Sequence, residues 1–196
     1  RLDEGQLVIA NRNLDHAISV ASDIQKNGGK VQAIDEREIG EWAAKVGLIV
    51  NSTTKGQGGI RKLPNGKLTT LEPYSALACA HPKSISQSDF DDPQTRQNWF
   101  CAAQADIDAN NQASMTLAQA IPQKVRFYDL IYHPQETVFL RHGRLSGHLT
   151  KNGKAMIVYQ AAIGLCRHIC KQHLVQSGKN EAATYRAVCQ VMAASW

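Results

Sequence analysis

The stretch KVRFYDLIYHPQETVFLRHGRLSGHLTKNGKAMIVYQAA, residues 124 to 162, is the most informative part of the sequence. Residues 125 to 132 alternate apolar, aromatic and β-branched types before a proline, which predicts a strand that ends at His133-Pro134. Residues 136 to 144 have apolar side chains at helical spacing, and Asn152-Gly153 is a turn signal. The stretch therefore predicts a strand, a loop, a helix, a turn and a second helix.

Upstream of this stretch, short apolar runs alternate with helical patterns. Residues 6 to 10, 30 to 34 and 47 to 51 are typical of strands, and residues 15 to 26 and 35 to 45 are typical of helices. Alternating strands and helices build parallel sheets with crossover helices, so the sequence predicts an α/β fold. The third run, GLIVN, is continuously apolar, which predicts a strand that is buried on both faces.

Two motifs of this chain resemble the C-terminal half of the shikimate dehydrogenase family. YDLIYHPQETVFL resembles the family's YDxxYxPxxTxFL, and NGKAMIVYQAA resembles its DGxxMLxxQ, in the same order and at a similar separation. Tyr132, Thr137 and Gln160 stand at the expected places. The resemblance covers about residues 6 to 56 and 124 to 175, and it implies a Rossmann-like parallel sheet flanked by helices.

The resemblance also implies that this chain is a fragment. No GxGxxG turn follows the first strand, and the glycines at residues 56 to 59 follow a later strand. The family's catalytic Lys/Asp pair belongs to an N-terminal substrate domain that this sequence does not contain. We therefore expect no catalytic residue in the chain, and we expect the chain to be inactive alone.

Three segments are predicted, with a long insertion in the middle. Residues 1 to 56 are interpreted as a partial nucleotide-binding Rossmann half, and residues 124 to 196 as the remainder of that domain with C-terminal helices. Residues 57 to 123 contain a hairpin signal at Pro64-Asn65-Gly66 and intermittent helical spacing after Asp92. We interpret this segment as a helical subdomain or lid; a loosely ordered surface excursion is the alternative.

The residues after the first strand indicate the cofactor. NRNLDHA resembles the NRTxxRA of NADP-type members of the family, so that Asn11 and Arg12 match while Asn13 and His16 depart from the motif. A guanidinium pairs a phosphate bidentately, whereas an acidic residue at this point would bind the 2′-hydroxyl of NAD. Arg12 therefore favours NADP. An exposed arginine in a turn is the alternative.

Further cofactor contacts follow from the resemblance alone. NSTTKG, residues 51 to 56, resembles the NTTPxGM segment that passes the nicotinamide side of the cofactor, and Thr53 matches it. Leu130, Gly153 and Met156 fall on positions that line the nicotinamide pocket in the family. The carboxyl ends of parallel strands line ligand crevices, which suits this placement. A generic polar turn at residues 51 to 56 is the alternative.

Substrate contacts are also implied by the resemblance. The hydroxyl of Tyr132 and the amide of Gln160 would contact the substrate, and an amide can both donate and accept hydrogen bonds. The alternative is that each side chain is satisfied within the core. We expect Asp129 to hold the loop rather than to contact a ligand.

Composition limits the class of protein. The chain has 196 residues, 43% of them hydrophobic, and no apolar run reaches the roughly 18 residues of a membrane helix. No secretion signal is recognisable, and we expect a cytoplasmic protein. The net charge of +5 suits an anionic ligand such as a phosphorylated cofactor, and the lack of a long basic run argues against nucleic acid.

The cysteines and histidines do not predict a metal site. Five cysteines form no CxxC motif, and free thiols fit a reducing compartment. Cys166 and Cys170 have a spacing that could hold a metal on a helix, but their apolar surroundings favour buried thiols. No HExxH motif occurs among the histidines.

The functional prediction follows from the resemblance. It implies an NADP-dependent oxidoreductase of the shikimate pathway, in aromatic amino acid biosynthesis, that transfers hydride between NADPH and the ring ketone of 3-dehydroshikimate or a related compound. The partner would be a small-molecule substrate, and a homodimer is a further expectation. Two alternatives stay open: another reductase on the same nucleotide domain, such as a glutamyl-tRNA reductase-like or methylene-tetrahydrofolate dehydrogenase-like enzyme, and a non-catalytic nucleotide-binding or regulatory module.

Overall fold

The computed structural model describes residues 5 to 195. The chain begins with a parallel β-α-β unit: strand β1 (Leu7–Asn11), helix α1 (Leu14–Lys26) and strand β2 (Val31–Asp35). Leu7 lies opposite Val31 and Asn11 opposite Asp35. Helix α1 packs against both strands through Ala17 and Ala21, which are buried.

A second parallel sheet contains the two strands that residues 124 to 162 form. Strand β3 (Leu48–Asn51) pairs with β6 (Arg126–Asp129), which pairs with the short β7 (Thr150–Lys151). After β2, a 3-10 turn, Glu36–Glu38, leads to helix α2 (Ile39–Ala43). The parallel strands and their flanking helices confirm the predicted α/β class.

The five parallel strands do not join in one sheet. Among the described residues, β1 pairs only with β2, and β3 pairs only with β6. Leu48 and Val50 are 51% and 44% exposed, so the prediction that this strand is buried on both faces is wrong. Alternate residues of a strand point to opposite faces, and only the Ile49 and Asn51 face of β3 packs inward.

The insertion begins with a hairpin. Strands β4 (Ile60–Lys62) and β5 (Leu68–Thr70) pair in antiparallel fashion, which confirms the predicted turn between them. Gly66 has a φ of +79°, a conformation that favours glycine. Leu68 and Ile85 form a further bridge, and the two pack with Trp99 in a small hydrophobic cluster.

Two helices complete the insertion. Helix α3 (Gln87–Asp91) is followed by α4 (Pro93–Ala120), which has 28 residues. The side chain of Asp92 accepts a hydrogen bond from the Thr95 amide at 2.7 Å, and Pro93 occupies the first turn, where its missing N–H costs nothing. The helical spacing that the sequence showed after Asp92 therefore corresponds to one long helix.

The main hydrophobic core lies beneath β6. Helix α5 (Val138–Leu145) packs on this strand, and the rings of Phe127 and Phe139 stack with their centroids 5.0 Å apart. The insertion contributes three members of the cluster. Its buried residues are Ala43, Leu77, Ala118, Ile121, Val125, Phe127, Phe139 and Leu140.

The C-terminal part is helical. Helix α6 (Lys154–Gly164) continues through a π turn, Leu165–Ile169, to α7 (Lys171–Gln176) and α8 (Glu181–Ala194). Helix α8 contacts α6, which confirms the predicted final helix, although Trp196 lies outside the described residues. The described part of the chain has no helix both long and apolar enough to cross a membrane. All five cysteines are free.

Candidate functional site

The carboxyl ends of β3 and β6 are joined by the side chain of Asn51. Its Nδ2 donates to Asp129 Oδ1 at 3.1 Å and to the Lys55 carbonyl at 3.0 Å. Its Oδ1 accepts from the amide and the hydroxyl of Thr53, at 2.9 and 2.8 Å. Asn51 therefore fixes the turn after β3 through hydrogen bonds to Thr53 and Lys55, and it ties this turn to the end of β6 through Asp129.

Asp129 is fully buried at the end of β6. Besides Asn51, its carboxylate accepts from the Ile131 amide at 2.9 Å and from the Thr137 hydroxyl at 2.6 Å. Burial raises the pKa of Asp129, and the three hydrogen bonds act in the opposite direction. This geometry holds the loop between β6 and α5, which is the role expected of Asp129 from the sequence.

Thr137 joins the same network to helix α5. Its hydroxyl donates to Asp129 and accepts from the Leu140 amide at 3.3 Å, so it caps the helix. A Cβ at Gly56, which has a φ of +95°, would lie 3.0 Å from the Thr137 Cβ. The turns after β3 and β6 therefore approach each other closely, and both are fixed.

A pocket of about 380 Å³ opens beside these turns. It brings together three residues that the resemblance implies as ligand contacts, Thr53, Leu130 and Tyr132. Tyr132 is 42% exposed and is one of the residues that line the pocket. The lining consists of Thr53, Gln57, Gly58, Leu130, Ile131, Tyr132 and His133.

Gly153 lies next to the pocket, where the backbone of Leu130 approaches it closely. A Cβ at this position would lie 2.0 Å from the Leu130 carbonyl oxygen, so no other residue fits. Its N–H donates to the Ile131 carbonyl at 3.0 Å. Gly153 therefore holds the start of α6 against the end of β6.

Met156 and Gln160 do not line the Tyr132 pocket. Met156 lines a second cavity, of about 530 Å³, together with Tyr128 and Tyr159. Gln160 is exposed on α6 and lines neither cavity. The structure therefore does not bring these two predicted residues to the Tyr132 pocket.

The residues after β1 form a capped turn. Asn11 Oδ1 accepts from the Asn13 amide at 2.9 Å, and Asn13 Oδ1 accepts from the His16 amide at 3.3 Å. The side chains of Asn11 and Asn13 therefore fix the backbone at the start of α1. Arg12 and His16 are exposed, and neither lines the Tyr132 pocket.

A third cavity, of about 250 Å³, lies between β1 and β3. It is lined by residues 7 to 10 and 48 to 51 of these strands and by apolar side chains that include Trp42 and Leu77. In the part of the chain that the structure describes, each of the two strands is paired on one edge only. The two unpaired edges therefore border an apolar space.

Lys55 forms an ion pair that sequence reasoning missed. Its Nζ lies 2.7 Å from Glu36 Oε2, and the two side chains are only 12% and 10% exposed. It also donates to the Ala78 carbonyl at 3.1 Å. The pair links the turn after β2 to the turn after β3 and to the insertion, and nothing in the local sequence pattern indicates it.

Four further residues of the Tyr132 pocket were also missed: Gln57, Gly58, Ile131 and His133. Gln57 and Gly58 belong to the insertion, to which the sequence assigned no ligand contact. His133 directly follows Tyr132, and the available signal was the His133-Pro134 pair, at which the sequence predicted the strand to end, whereas β6 ends at Asp129. No group of three or more His, Cys, Asp or Glu residues in the described part of the chain could hold a metal ion.

No family model matches this chain. The shikimate dehydrogenase (NADP(+)) of Pelagibacter ubique is 51% identical over 43 residues, which are 22% of this chain and 16% of that protein. The shikimate dehydrogenase (NADP(+)) of Methanosarcina mazei is 38% identical over 53 residues, 27% of this chain and 19% of that protein. Part of the chain is similar to shikimate dehydrogenases. These matches confirm the resemblance drawn from the motifs.

The similarity to shikimate dehydrogenases is partial. The matched segments span less than a fifth of each curated relative. Among solved structures, the shikimate 5-dehydrogenase of Listeria monocytogenes, in complex with shikimate and NAD, matches 80% of this chain and 40% of that chain. The identity there is 16% and the TM-score is 0.49.

Proposed function

We propose that the protein is an NADP-dependent, shikimate dehydrogenase-like oxidoreductase that transfers hydride between NADPH and the ring ketone of 3-dehydroshikimate or a related compound. The observation that carries this proposal is the pocket at the carboxyl ends of β3 and β6, where Thr53, Leu130 and Tyr132 meet. Ligands of parallel α/β sheets bind beyond these ends. The sequence matches to two shikimate dehydrogenases (NADP(+)) support the same class of reaction.

The residues of this chain would bind and orient, while the nicotinamide supplies the hydride. Tyr132 lines the pocket and would direct its hydroxyl to a substrate oxygen. Thr53 is held by Asn51, and Leu130 is held by the close approach of Gly153, so both present fixed surfaces to a ligand. Preorganised contacts of this kind lower the entropy that binding costs.

The 2′-phosphate of NADP would be held by Arg12. Asn11 and Asn13 are engaged in the turn, while Arg12 is exposed and has no carboxylate partner within residues 5 to 195. A guanidinium in that state is available to an anionic ligand. The residues after β1 therefore fit the cofactor that the resemblance implies.

The segment boundaries form part of the proposal. Residues 1 to 56 would be a partial nucleotide-binding Rossmann half, residues 57 to 123 an insertion that could act as a helical lid, and residues 124 to 196 the remainder of the Rossmann domain with its C-terminal helices. The space between the unpaired edges of β1 and β3 would take a further parallel strand, carrying the glycine-rich turn that the family uses for the cofactor diphosphate.

The test is an oxidation assay with the complete reading frame that contains this chain. Shikimate is offered with NADP⁺ or with NAD⁺, and the absorbance of reduced nicotinamide is followed. We expect turnover with NADP⁺ preferred, and we expect Arg12→Ala to reduce the preference by about tenfold, because a lost ion pair to phosphate costs on the order of 1.4 kcal/mol. Arg186→Ala, at another exposed arginine, is the matched control.

Two outcomes would contradict parts of the proposal. Turnover with equal use of both cofactors would remove the role of Arg12 but leave the reaction class intact. Binding of NADP⁺ without turnover of shikimate would instead favour the alternative of a non-catalytic or divergent nucleotide-binding module, with another substrate or a regulatory partner.

A further inference from the structure

Three histidines near β6 have different surroundings. His142 and His148 are buried: Nδ1 of His142 lies 2.9 Å from Ser114 Oγ, and the two ring nitrogens of His148 lie 3.0 and 2.9 Å from backbone carbonyls. His133 is exposed and lines the Tyr132 pocket. Its ring makes no hydrogen bond to any residue between 5 and 195. The rings of His142 and His148 thus make hydrogen bonds within the fold, whereas the ring of His133 makes none to residues 5 to 195.

The position of the His133 ring is set by the insertion. A Cβ built on Gly58 would lie 3.0 Å from Cδ2 and 3.2 Å from Nε2 of His133, so the ring lies directly against the glycine. The Gly58 N–H donates to the His133 carbonyl at 3.1 Å. The start of the insertion therefore holds the His133 backbone through a hydrogen bond and lies against one side of its ring at the pocket.

The pocket has the chemistry of a site for oxygen atoms. Its side chains include the hydroxyl of Thr53, the amide of Gln57 and the phenol of Tyr132, and none of its seven lining residues is acidic. Such a lining suits hydroxyl and carboxylate oxygens of a ligand, and it places no negative charge that would favour a cation. An imidazole can donate to such oxygens, and it can also accept from a hydroxyl.

We propose that His133 binds a hydroxyl or carboxylate oxygen of the substrate and is a specificity-determining residue of this pocket. The inference rests on the proposed function, since it assigns the substrate side of the reaction to this pocket. It names a second polar contact beside Tyr132 and gives the insertion a role: Gly58 positions the residue that contacts the substrate.

The first test measures steady-state kinetics of the complete protein with His133→Ala and His133→Asn. We expect His133→Ala to raise the KM for shikimate about tenfold, as for one lost hydrogen bond, with the KM for NADP⁺ unchanged. His133→Asn keeps a donor and an acceptor and should recover part of the loss. His168→Ala removes an exposed histidine of the π turn and is the control.

The second test displaces the ring without removing it. Gly58→Ala should push the imidazole from its place and raise the KM for shikimate in the same direction as His133→Ala. Gly47→Ala is the matched control, because a Cβ there meets nothing within 4 Å and its φ is not positive. A double variant, His133→Ala with Gly58→Ala, should show no further rise if both act through the ring.

The outcomes separate the inference from the proposed function. Wild-type turnover with an unchanged KM for shikimate in His133→Ala would overturn the role of His133 and leave the reaction intact. Equal rises in the KM values for shikimate and NADP⁺ would also overturn it, because they would indicate a structural effect. If the wild-type protein neither binds nor oxidises shikimate, the proposed function fails, and the inference fails with it.

Discussion

The β1–α1–β2 unit and the region around β6 differ in how firmly they are packed. The first unit buries mostly small side chains, Ala17, Ala21, Val31 and Ile34, and leaves Leu7 40% exposed. The second region buries aromatic and large aliphatic side chains from β6, α5 and the insertion. An apolar strand therefore contributes to stability only where other elements cover it.

The insertion accounts for much of this difference. It supplies Leu77, Ala118 and Ile121 to the core, and polar side chains tie it to its surroundings. The side chain of Asn110 in α4 accepts a hydrogen bond from the Ser75 amide at 2.8 Å. It also donates to the carbonyls of Ser75, Ala78 and Cys79 in the loop that follows β5. The segment that the sequence leaves without a family counterpart thus packs directly on the strand that carries the Tyr132 pocket.

The largest expected effect is at Asp129. Asp129→Ala removes the acceptor for three buried donors, so we expect a loss of about 3 to 5 kcal/mol in the free energy of unfolding. Chemical denaturation would measure it. Asp129→Asn keeps an oxygen acceptor and should cost less. A loss below about 1 kcal/mol for Asp129→Ala would show that the two turns do not depend on this carboxylate.

Asp129 should also give a pH signature. Burial raises its pKa above the ordinary value of 3.8, so the folded protein holds this proton more tightly than the unfolded chain. Its contribution to stability is therefore fully present below the unfolded pKa and is lost as the pH rises through the folded pKa. The free energy of unfolding of the wild type, relative to that of Asp129→Asn, should therefore fall as the pH rises from the unfolded pKa of Asp129 through its folded pKa. A difference that is independent of pH would contradict this assignment.

A matched pair of leucines tests the comparison directly. Leu140→Ala in the core, where the residue is 3% exposed, should cost about 3 kcal/mol. Leu7→Ala in β1 of this 196-residue chain makes the same chemical change and should cost about 1 to 1.5 kcal/mol, because the side chain is already 40% exposed. Urea denaturation of both variants measures the two losses. Equal losses would mean that the two regions are packed alike.

Asn110 tests whether the insertion is anchored. Asn110→Ala leaves the Ser75 amide and three carbonyls without this partner, so we expect a loss of about 2 kcal/mol. Asn98→Ala, at an exposed position of the same helix, is the control and should be nearly neutral. Thermal and chemical unfolding both report this difference. A neutral Asn110→Ala would indicate that the loop keeps its hydrogen bonds by other means.

The smallest effect is expected on the surface of the well-packed region. Arg144 and Glu136 form an ion pair at 2.6 Å, but their side chains are 54% and 39% exposed. Glu136→Gln should therefore cost less than about 1 kcal/mol, and added salt should reduce that cost. A larger, salt-independent loss would contradict the view that packing rather than surface charge stabilises this region.

Much of the fold could be predicted from local patterns. The strands, the crossover helix α1, the hairpin turn and the final helix all have periodicity or turn residues that are visible in the sequence. The exposure of β3 could not be predicted, because GLIVN is equally apolar whether or not another strand pairs with its second edge. The capping of α1 by Asn13 was not predicted, although asparagine is a common N-cap residue.

The candidate site was predicted in part. Thr53, Leu130 and Tyr132 meet at one pocket because they follow β3 and β6, which are neighbouring parallel strands, a placement that the family resemblance implied and that sequence order alone does not. Gln57, Gly58 and the role of His133 could not be foreseen, because they depend on how the insertion folds back on the strand ends. Met156 and Gln160 lie on α6, and their placement depends on the rotation of that helix, which apolar spacing does not fix.

Native-state hydrogen exchange, followed residue by residue, tests the central comparison most directly. In this 196-residue chain, we expect the amides of β6 and of α4 near Ala118 to exchange only through global unfolding, and those of β1 and β2 to exchange through a local opening of much lower free energy. Equal protection of both groups, with a single opening free energy, would contradict the account, because it would show one cooperative unit in which β1 and β2 are as firmly held as the core beneath β6.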